Sequence, residues 1–232
     1  MAIKFDWDSS RGQGVISGEY FTAIREHFSV TNEAARFARY RGGYAPSRKY
    51  IITPAGRFDI GLYDEIQKFI IERNLDTQVV TTDTFVQHAL PKYNVSDIPK
   101  LSLELRDYQQ NIVNNCLTSG RGVIILATAG GKTLTIASLI ESLYRDNNTL
   151  RCAVIVPDRG LVNQTYSDFD SYDVSFKSSK WTGSDDLDLS ANVIICNLGI
   201  LQSNKSNTDW LNYIDVCIVD EVHKLRRGNK YL

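Results

Sequence analysis

The sequence predicts an α/β protein: a parallel sheet with helices on both faces in its larger C-terminal part, preceded by a small α+β domain. Three observations carry that reading. Short β-branched runs recur from residue 122 onward, at Gly122–Thr128, Cys152–Val156, Asn192–Cys196 and Asp215–Val219. Continuous apolar segments with polar ends fit strands buried on both faces of a parallel sheet. Between them lie stretches of helical period, notably Leu134–Tyr144, with apolar residues at 136, 139, 140 and 143, and Leu161–Phe169 after a Pro157-Asp158 turn. Strand alternating with helix implies layers joined by right-handed crossovers. The first hundred residues, finally, lack that alternation.

In chain order, the N-terminal part predicts a helix near Glu19–Phe28, an irregular arginine-rich stretch, and a helix at Leu62–Arg73. Leu62, Ile66, Phe69 and Ile70 make one apolar face of the second helix. Strand-like Tyr50–Thr53 and Gln78–Thr82 flank it. The linker is read at Pro91–Pro99, which holds two prolines among polar residues. The domains expected are 1–95, small and α+β, and 96–232, the α/β layer structure. No internal repeat or low-complexity tract is visible.

With 232 residues and 43% hydrophobic content, two modest cores are affordable. Lys and Arg number 26 against 27 Asp and Glu, so no global field draws the chain to nucleic acid or to an anionic membrane. A nucleic-acid surface has to be local. Cys116, Cys152, Cys196 and Cys217 lie far apart without a CxxC pair, which argues for reduced core thiols rather than zinc or disulfides. No apolar run approaches the ~20 residues of a membrane span and the start carries early charge. A soluble cytoplasmic protein without a membrane partner is expected.

The run Val123–Leu126 leads into Ala127-Thr128-Ala129-Gly130-Gly131-Lys132-Thr133 and then into a helical pattern. That is the context of a phosphate-binding loop. Backbone N–H groups from Thr128 to Thr133 face the phosphates of ATP, Lys132 reaches the β- and γ-phosphates, and the Thr133 hydroxyl ligates Mg²⁺. The general pattern has Gly where this chain has Leu126, and many relatives have Gly at Ala129. Both departures are tolerable where the backbone stays in regions open to L-residues. The bland alternative is a glycine-rich turn before an ordinary helix.

Val216-Cys217-Ile218-Val219 ends at Asp220-Glu221-Val222-His223, so two carboxylates leave a buried strand at its carboxyl end, where open α/β sheets place ligands. Asp220 is expected to hold Mg²⁺, Glu221 to orient and deprotonate the attacking water, and His223 to link the nucleotide site to the strand-binding surface. Alone, acidic residues after a strand read as a solvated turn. The phosphate loop in the same sheet favours catalysis.

Together, Gly131-Lys132-Thr133 and Asp-Glu-Val-His resemble a superfamily 2 helicase or translocase of the DExH type. The resemblance implies a RecA-like domain. Leu105-Arg106-Asp107-Tyr108-Gln109 is similar to that family's element upstream of the loop, which implies that Gln109 reads the adenine edge while Arg106 or Tyr108 supports the base; an amide pairs bidentately with adenine N6 and N7. A surface Gln on an amphipathic helix is the plain alternative. Val156–Gln164 resembles the element that grips one strand's phosphates, with Arg159 as donor. Trp181-Thr182-Gly183 and Ile195–Leu201 resemble two later strand-contacting elements, the second with Asn197 where many relatives have Thr.

Arg36, Arg39, Arg41, Arg48, Lys49 and Arg57 fall in one stretch without an acidic residue, and Phe37, Tyr40, Tyr44 and Tyr50 are interleaved. Segregated charge with aromatic faces suits a nucleic-acid backbone; a solvated basic face is the alternative. This stretch, with Gly61–Ile66 and Phe69, resembles the N-terminal domain of UvsW-type phage recombination helicases, whose small domain is taken to bind duplex DNA. Tyr44-Ala45-Pro46-Ser47 departs from the Trp-Asp-Gly turn of those relatives. His27 and His88 have no ligand-spaced partner and read as structural.

The resemblance implies an ATP-dependent DNA helicase acting on branched recombination or replication-fork DNA. A superfamily 2 motor also needs a second RecA-like domain carrying arginine fingers, and the chain ends soon after His223, so it reads as a motor's front half, weakly active alone. Three alternatives stay open: a DNA-binding or regulatory module without turnover, a restriction-type DNA translocase, and an RNA helicase.

Overall fold

A computed structural model describes residues 2–32, 35, 45–89, 93, 97–203 and 209–222. The chain divides into two compact units, Met1–Lys92 and Tyr93–Leu232.

In the first unit, strands β1 (Ala2–Asp8), β2 (Gln13–Gly18), β5 (Arg57–Phe58) and β6 (Gln78–Thr81) form a sheet in the order β5-β2-β1-β6. β1 runs antiparallel to β2 and parallel to β6. The two N-terminal strands were absent from the sequence expectation, although β1 alternates as a half-buried strand does: Ile3 and Phe5 are buried while Lys4 is exposed. Phe5 meets Phe58, Tyr63 and Phe85 edge-on or tilted, at centroid distances of 6.0, 5.0 and 5.6 Å. Each such buried side chain contributes about 1.5–3 kcal/mol.

Helix α1 covers Phe21–His27, α2 Tyr63–Glu72 and α3 Asp83–Ala89. The expected apolar face of α2 is the buried one, with Ile66, Phe69 and Ile70 turned inward. A separate two-stranded ribbon pairs β3 (Ser29–Thr31) with β4 (Arg48–Tyr50), where a strand at Tyr50–Thr53 was expected. Gly18 sits at φ 97, and a Cβ there would collide with the Ala2 carbonyl, so the β2 exit requires glycine.

The second unit holds the predicted parallel sheet, in the order β10-β7-β9-β8: β7 Cys152–Val156, β8 Ser178–Trp181, β9 Val193–Asn197 and β10 Val216–Val219. All three pairings are parallel. β7 and β9 are buried along their whole length, as apolar central strands should be. Helices α4 (Asp107–Ser119), α5 (Lys132–Asp146) and α6 (Arg159–Ser171) accompany the sheet, and α7 (Leu198–Ser203) follows β9. One core joins α4, α5 and α6 to Val154 and Ile195; the other face of the sheet gathers Ile155, Ile194 and Trp210. Buried Glu141 is satisfied by Arg145 at 2.7 Å and by the Ser175 N–H at 2.9 Å. All four cysteines are free, and burial pushes the Cys196 thiol up to about 12.

One predicted strand is corrected. Gly122–Thr128 is not part of any sheet; Val123 and Ile125 stand 76% and 91% exposed. An apolar strand of this kind needs ladder partners and cover on both faces, and the described residues provide neither. Its hydrophobicity was legible; its neighbours were not.

The Asp8 carboxyl supplies a test of the first unit. It is held down to about 2 by the Ser10 hydroxyl and by the Arg57 guanidinium, which lies 2.7 Å away. A carboxyl lowered on folding contributes stability above its unfolded value of 3.8 and loses it as pH falls through about 2. Urea midpoints measured from roughly pH 5 to 2 are expected to fall, and Asp8→Asn to flatten that slope. An unchanged slope in the variant would show that this pair does not set acid stability.

Candidate nucleotide site

The site begins with a turn that the backbone makes only at some cost. Gly130 N–H closes it on the Ala127 carbonyl at 3.0 Å, and Gly131, at φ 74, caps α5 so that Lys132 is the first helical residue. Ala129 has φ 61. Ala129 therefore does not meet the condition under which its departure from Gly is free: it occupies a left-handed conformation that costs a non-glycine residue about 1–2 kcal/mol. Leu126 has no such φ.

A side-chain brace holds the turn. Gln109, buried near the start of α4, donates its Nε2 to the carbonyls of Gly130 and Gly131 at 3.2 and 3.3 Å. Its Oε1 accepts the Arg106 N–H at 2.9 Å, which also caps the helix. Tyr108 donates its hydroxyl to Gly130 O at 3.1 Å and accepts from Arg106 Nη1 at 3.2 Å. A Cβ at Gly131 would meet the Gln109 amide, so any other residue there would displace the brace, and φ 74 favours glycine in any case. The amide edge expected to read adenine thus lies against the loop. Pairing with a base would exchange these bonds.

The second half comes from β10. Its register against β7, Val219 opposite Ile155, and the bond from Asp220 N–H to Ile155 O at 2.8 Å set Asp220 at the carboxyl end of the sheet. Lys132 Nζ bonds Glu221 Oε1 and lies 3.9 Å from Asp220 Oδ1. The hydrogen bond to Glu221 holds the Lys132 ammonium above its ordinary range, and the charge of Asp220 adds to it. Glu221 itself sits at φ 52, with its N–H on Asp220 Oδ1 at 2.9 Å. Thr133 and the loop from Thr128 onward are partly or fully exposed, open to a ligand. A cation, two carboxylates, a hydroxyl and a helix N-terminus form a donor set that suits a triphosphate with its divalent metal.

Other predicted residues lie along the same sheet edge. Val156 pairs with Asn197, and Trp181 with Cys196, so Asp158 and Arg159, Thr182 and Gly183, and Asn197 follow strand ends that all face one way. Asp158 caps α6 by accepting the Leu161 N–H at 3.0 Å. Arg159 packs against Gly183, where a Cβ would clash with its guanidinium. Thr182 is buried and bonds Asp185, so its hydroxyl is already engaged. Asn197 is buried, with its Oδ1 unpartnered among the described residues. In the first unit, Arg48 and Lys49 are exposed on β4, whereas Arg57 is committed to Asp8. His223, Arg36, Arg39 and Arg41 lie outside the described residues. Sequence reasoning missed the brace on the loop; the Arg106–Gln109 spacing of a capping box was its available signal.

Residues 102–232 match the family described as the type III restriction enzyme, res subunit. The DNA 3'-5' translocase XPB2 of Sulfurisphaera tokodaii is 30% identical over 114 residues, 47% of this chain and 23% of that protein. The chain thus spans about a quarter of the length of that curated relative. Among solved structures, the UvsW helicase from bacteriophage T4 superposes with a TM-score of 0.73 at 22% identity, over 97% of this chain and 84% of that one. A second T4 UvsW structure gives 0.72 at 23% identity, over 96% and 48%. These likenesses establish the fold, an α/β architecture whose parallel sheet is that of a RecA-like helicase domain.

Ala129→Gly is expected to relieve the left-handed residue and raise stability by about 1 kcal/mol, a gain of roughly 2–4 °C in Tm. Gln109→Ala is expected to lower Tm and to loosen hydrogen-exchange protection at Gly130 and Gly131. Calorimetry and exchange check both; a lower Tm for Ala129→Gly would contradict the strain.

Proposed function

The chain belongs to the family of the type III restriction enzyme res subunit, and from that membership we propose that it is the nucleotide-binding half of an ATP-driven DNA helicase or translocase. The observation that carries the reading is the convergence of Lys132, Asp220 and Glu221 at the carboxyl end of one parallel sheet. Three charged groups on one strand end and one helix start are costly to gather without a charged ligand to serve.

Lys132 leaves the carboxylates to bind the β- and γ-phosphates of ATP, and the backbone N–H groups of Gly131 to Thr133 donate to their oxygens, while Gly130 N–H keeps the turn closed. Thr133 and Asp220 are the residues that would hold Mg²⁺, which supplies charge neutralisation between the phosphates when bound. Glu221, released from Lys132, orients a water and takes its proton, while His223 relays the state of the site toward the strand. Gln109 changes partners from the loop to the base, and Arg106 from the Tyr108 hydroxyl to the base. A second RecA-like domain is needed for rapid turnover, since an arginine finger is worth roughly 10³–10⁵ in rate in related systems.

Arg159, Thr182, Gly183 and Asn197 form the strand-contacting edge of this reading, and Arg48 and Lys49, with Arg36, Arg39 and Arg41, the duplex-binding face. The substrate proposed is branched recombination or replication-fork DNA. A reading as a nucleotide-responsive DNA-binding module without turnover is favoured by one observation: Lys132 and Gln109 are both engaged within the chain.

Two experiments test the proposal. Lys132→Ala is expected to weaken ADP binding by at least about tenfold, one lost charge-assisted bond, while thermal unfolding stays cooperative; unchanged affinity would remove the site. Replacing Arg48 and Lys49 by Ala is expected to weaken duplex binding and to reduce the slope of log K against log salt by about 2. An unaltered slope would take the ribbon out of the DNA surface.

A further inference from the structure

Among the described residues, positive φ outside glycine occurs at Tyr20, Asn74, Ala129, Asp173 and Glu221. Asn and Asp enter this region readily. Tyr20 holds it at the entry to α1, and Ala129 is carried into it as the phosphate loop closes, Gly130 N–H on Ala127 O at 3.0 Å. Glu221, at φ 52, differs from all of these, because both of its polar ends are held by charged groups of the candidate site. Its N–H donates to Asp220 Oδ1 at 2.9 Å, and its carboxylate accepts from Lys132 Nζ.

The angle φ is the rotation between those two groups, since it turns the side chain against the N–H about the bond from N to Cα. With the N–H anchored on Asp220 and the carboxylate on Lys132, the torsion is fixed from its ends. A glutamate has no reason of its own to accept it: the Cβ crowds the following carbonyl, and the side chain is too long for the local bond by which Asn and Asp compensate. Upstream the chain is fixed, because Asp220 N–H is bonded to Ile155 O at 2.8 Å and Val219 pairs with Ile155. Downstream, Val222 is exposed. A change of φ at Glu221 is therefore expressed in the chain that leaves β10 and not in the sheet.

We propose that Glu221 is a backbone switch that senses occupancy of the nucleotide site, an inference that rests on the roles given to Lys132 and Asp220 under the proposed function. When Lys132 turns to a phosphate and Asp220 to a divalent cation, both anchors of Glu221 are released together. The residue then relaxes to the negative φ that L-residues prefer. Nucleotide binds the relaxed state better, because only there are Lys132 and Asp220 free of Glu221; that difference in affinity is what a population shift requires. Relaxation turns Val222 in a new direction, so binding alone moves the exit of β10, before any bond is broken.

The test reads φ itself. The full chain is labelled with ¹⁵N-glutamate, the Glu221 resonance is assigned through Glu221→Gln, and the cross-relaxation between its own N–H and Hα protons is measured. These protons are close at positive φ and give a strong cross-peak; Glu65 and Glu72 on α2 supply the weak one of a helical residue. The unliganded chain is expected to show the strong cross-peak at Glu221. Saturation with ADP and MgCl₂, with binding followed by calorimetry, is expected to reduce it to the level of Glu65. Lys132→Ala without ligand is expected to reduce it as well, since one anchor is gone, and this arm does not depend on nucleotide. A weak cross-peak in the unliganded chain, a strong one in the chain with ADP bound, or a strong one in Lys132→Ala would each overturn the switch. If ADP does not bind, the nucleotide reading falls and Lys132→Ala alone decides the switch.

Discussion

The contact between Lys132 and the carboxylates of Asp220 and Glu221 is the constraint on which the rest depends. It joins Lys132 and Glu221, 89 positions apart in sequence, and it closes because β10 ends at the carboxyl edge of the sheet while α5, packed on the same core, starts beside it. β10 reaches that edge through its register with β7, and the helix start is set by Gly131 at φ 74. Strain and bracing around the loop follow. Ala129 and Glu221 both hold left-handed backbone, and Gln109 and Tyr108 hold the turn by its carbonyls.

The same contact balances the charge at the start of α5. A lysine at a helix start has no internal partner, and its charge would otherwise oppose the positive end of the helix dipole. Two carboxylates at the neighbouring strand end neutralise it. On the proposed reading, nucleotide competes with an internal anion for Lys132, and the energy of the ion pair is subtracted from binding.

Much of this was legible in the residues, though unevenly. Cys152–Val156, Asn192–Cys196 and Asp215–Val219 read as buried strands because apolar runs with polar ends fit them, and β7, β9 and β10 occupy these runs, β7 and β9 fully buried but β10 a half-buried edge strand with Cys217 exposed. The apolar face of the helix at Leu62–Arg73 was equally plain. Gly122–Thr128 had the same signature without the partners. Periodicity reports which residues prefer burial and cannot report whether a neighbour is there to bury them. β1 and β2 went unseen because short alternating strands next to glycines resemble loops, and Ala129 because φ is set by closure of the turn rather than by residue type. Charge was legible as a pattern but not as a partnership: Arg57 belongs to Asp8, and only the fold could show it.

The central claim is that Lys132 is held by Glu221 until a phosphate displaces it. Calorimetric titration of ADP into the chain and into its Glu221→Gln variant tests this most directly. Because the amide holds the ammonium less strongly, the account predicts that the variant binds ADP more tightly, by roughly two- to tenfold, the range of a partly exposed ion pair. Unchanged or weaker affinity in the variant would contradict it.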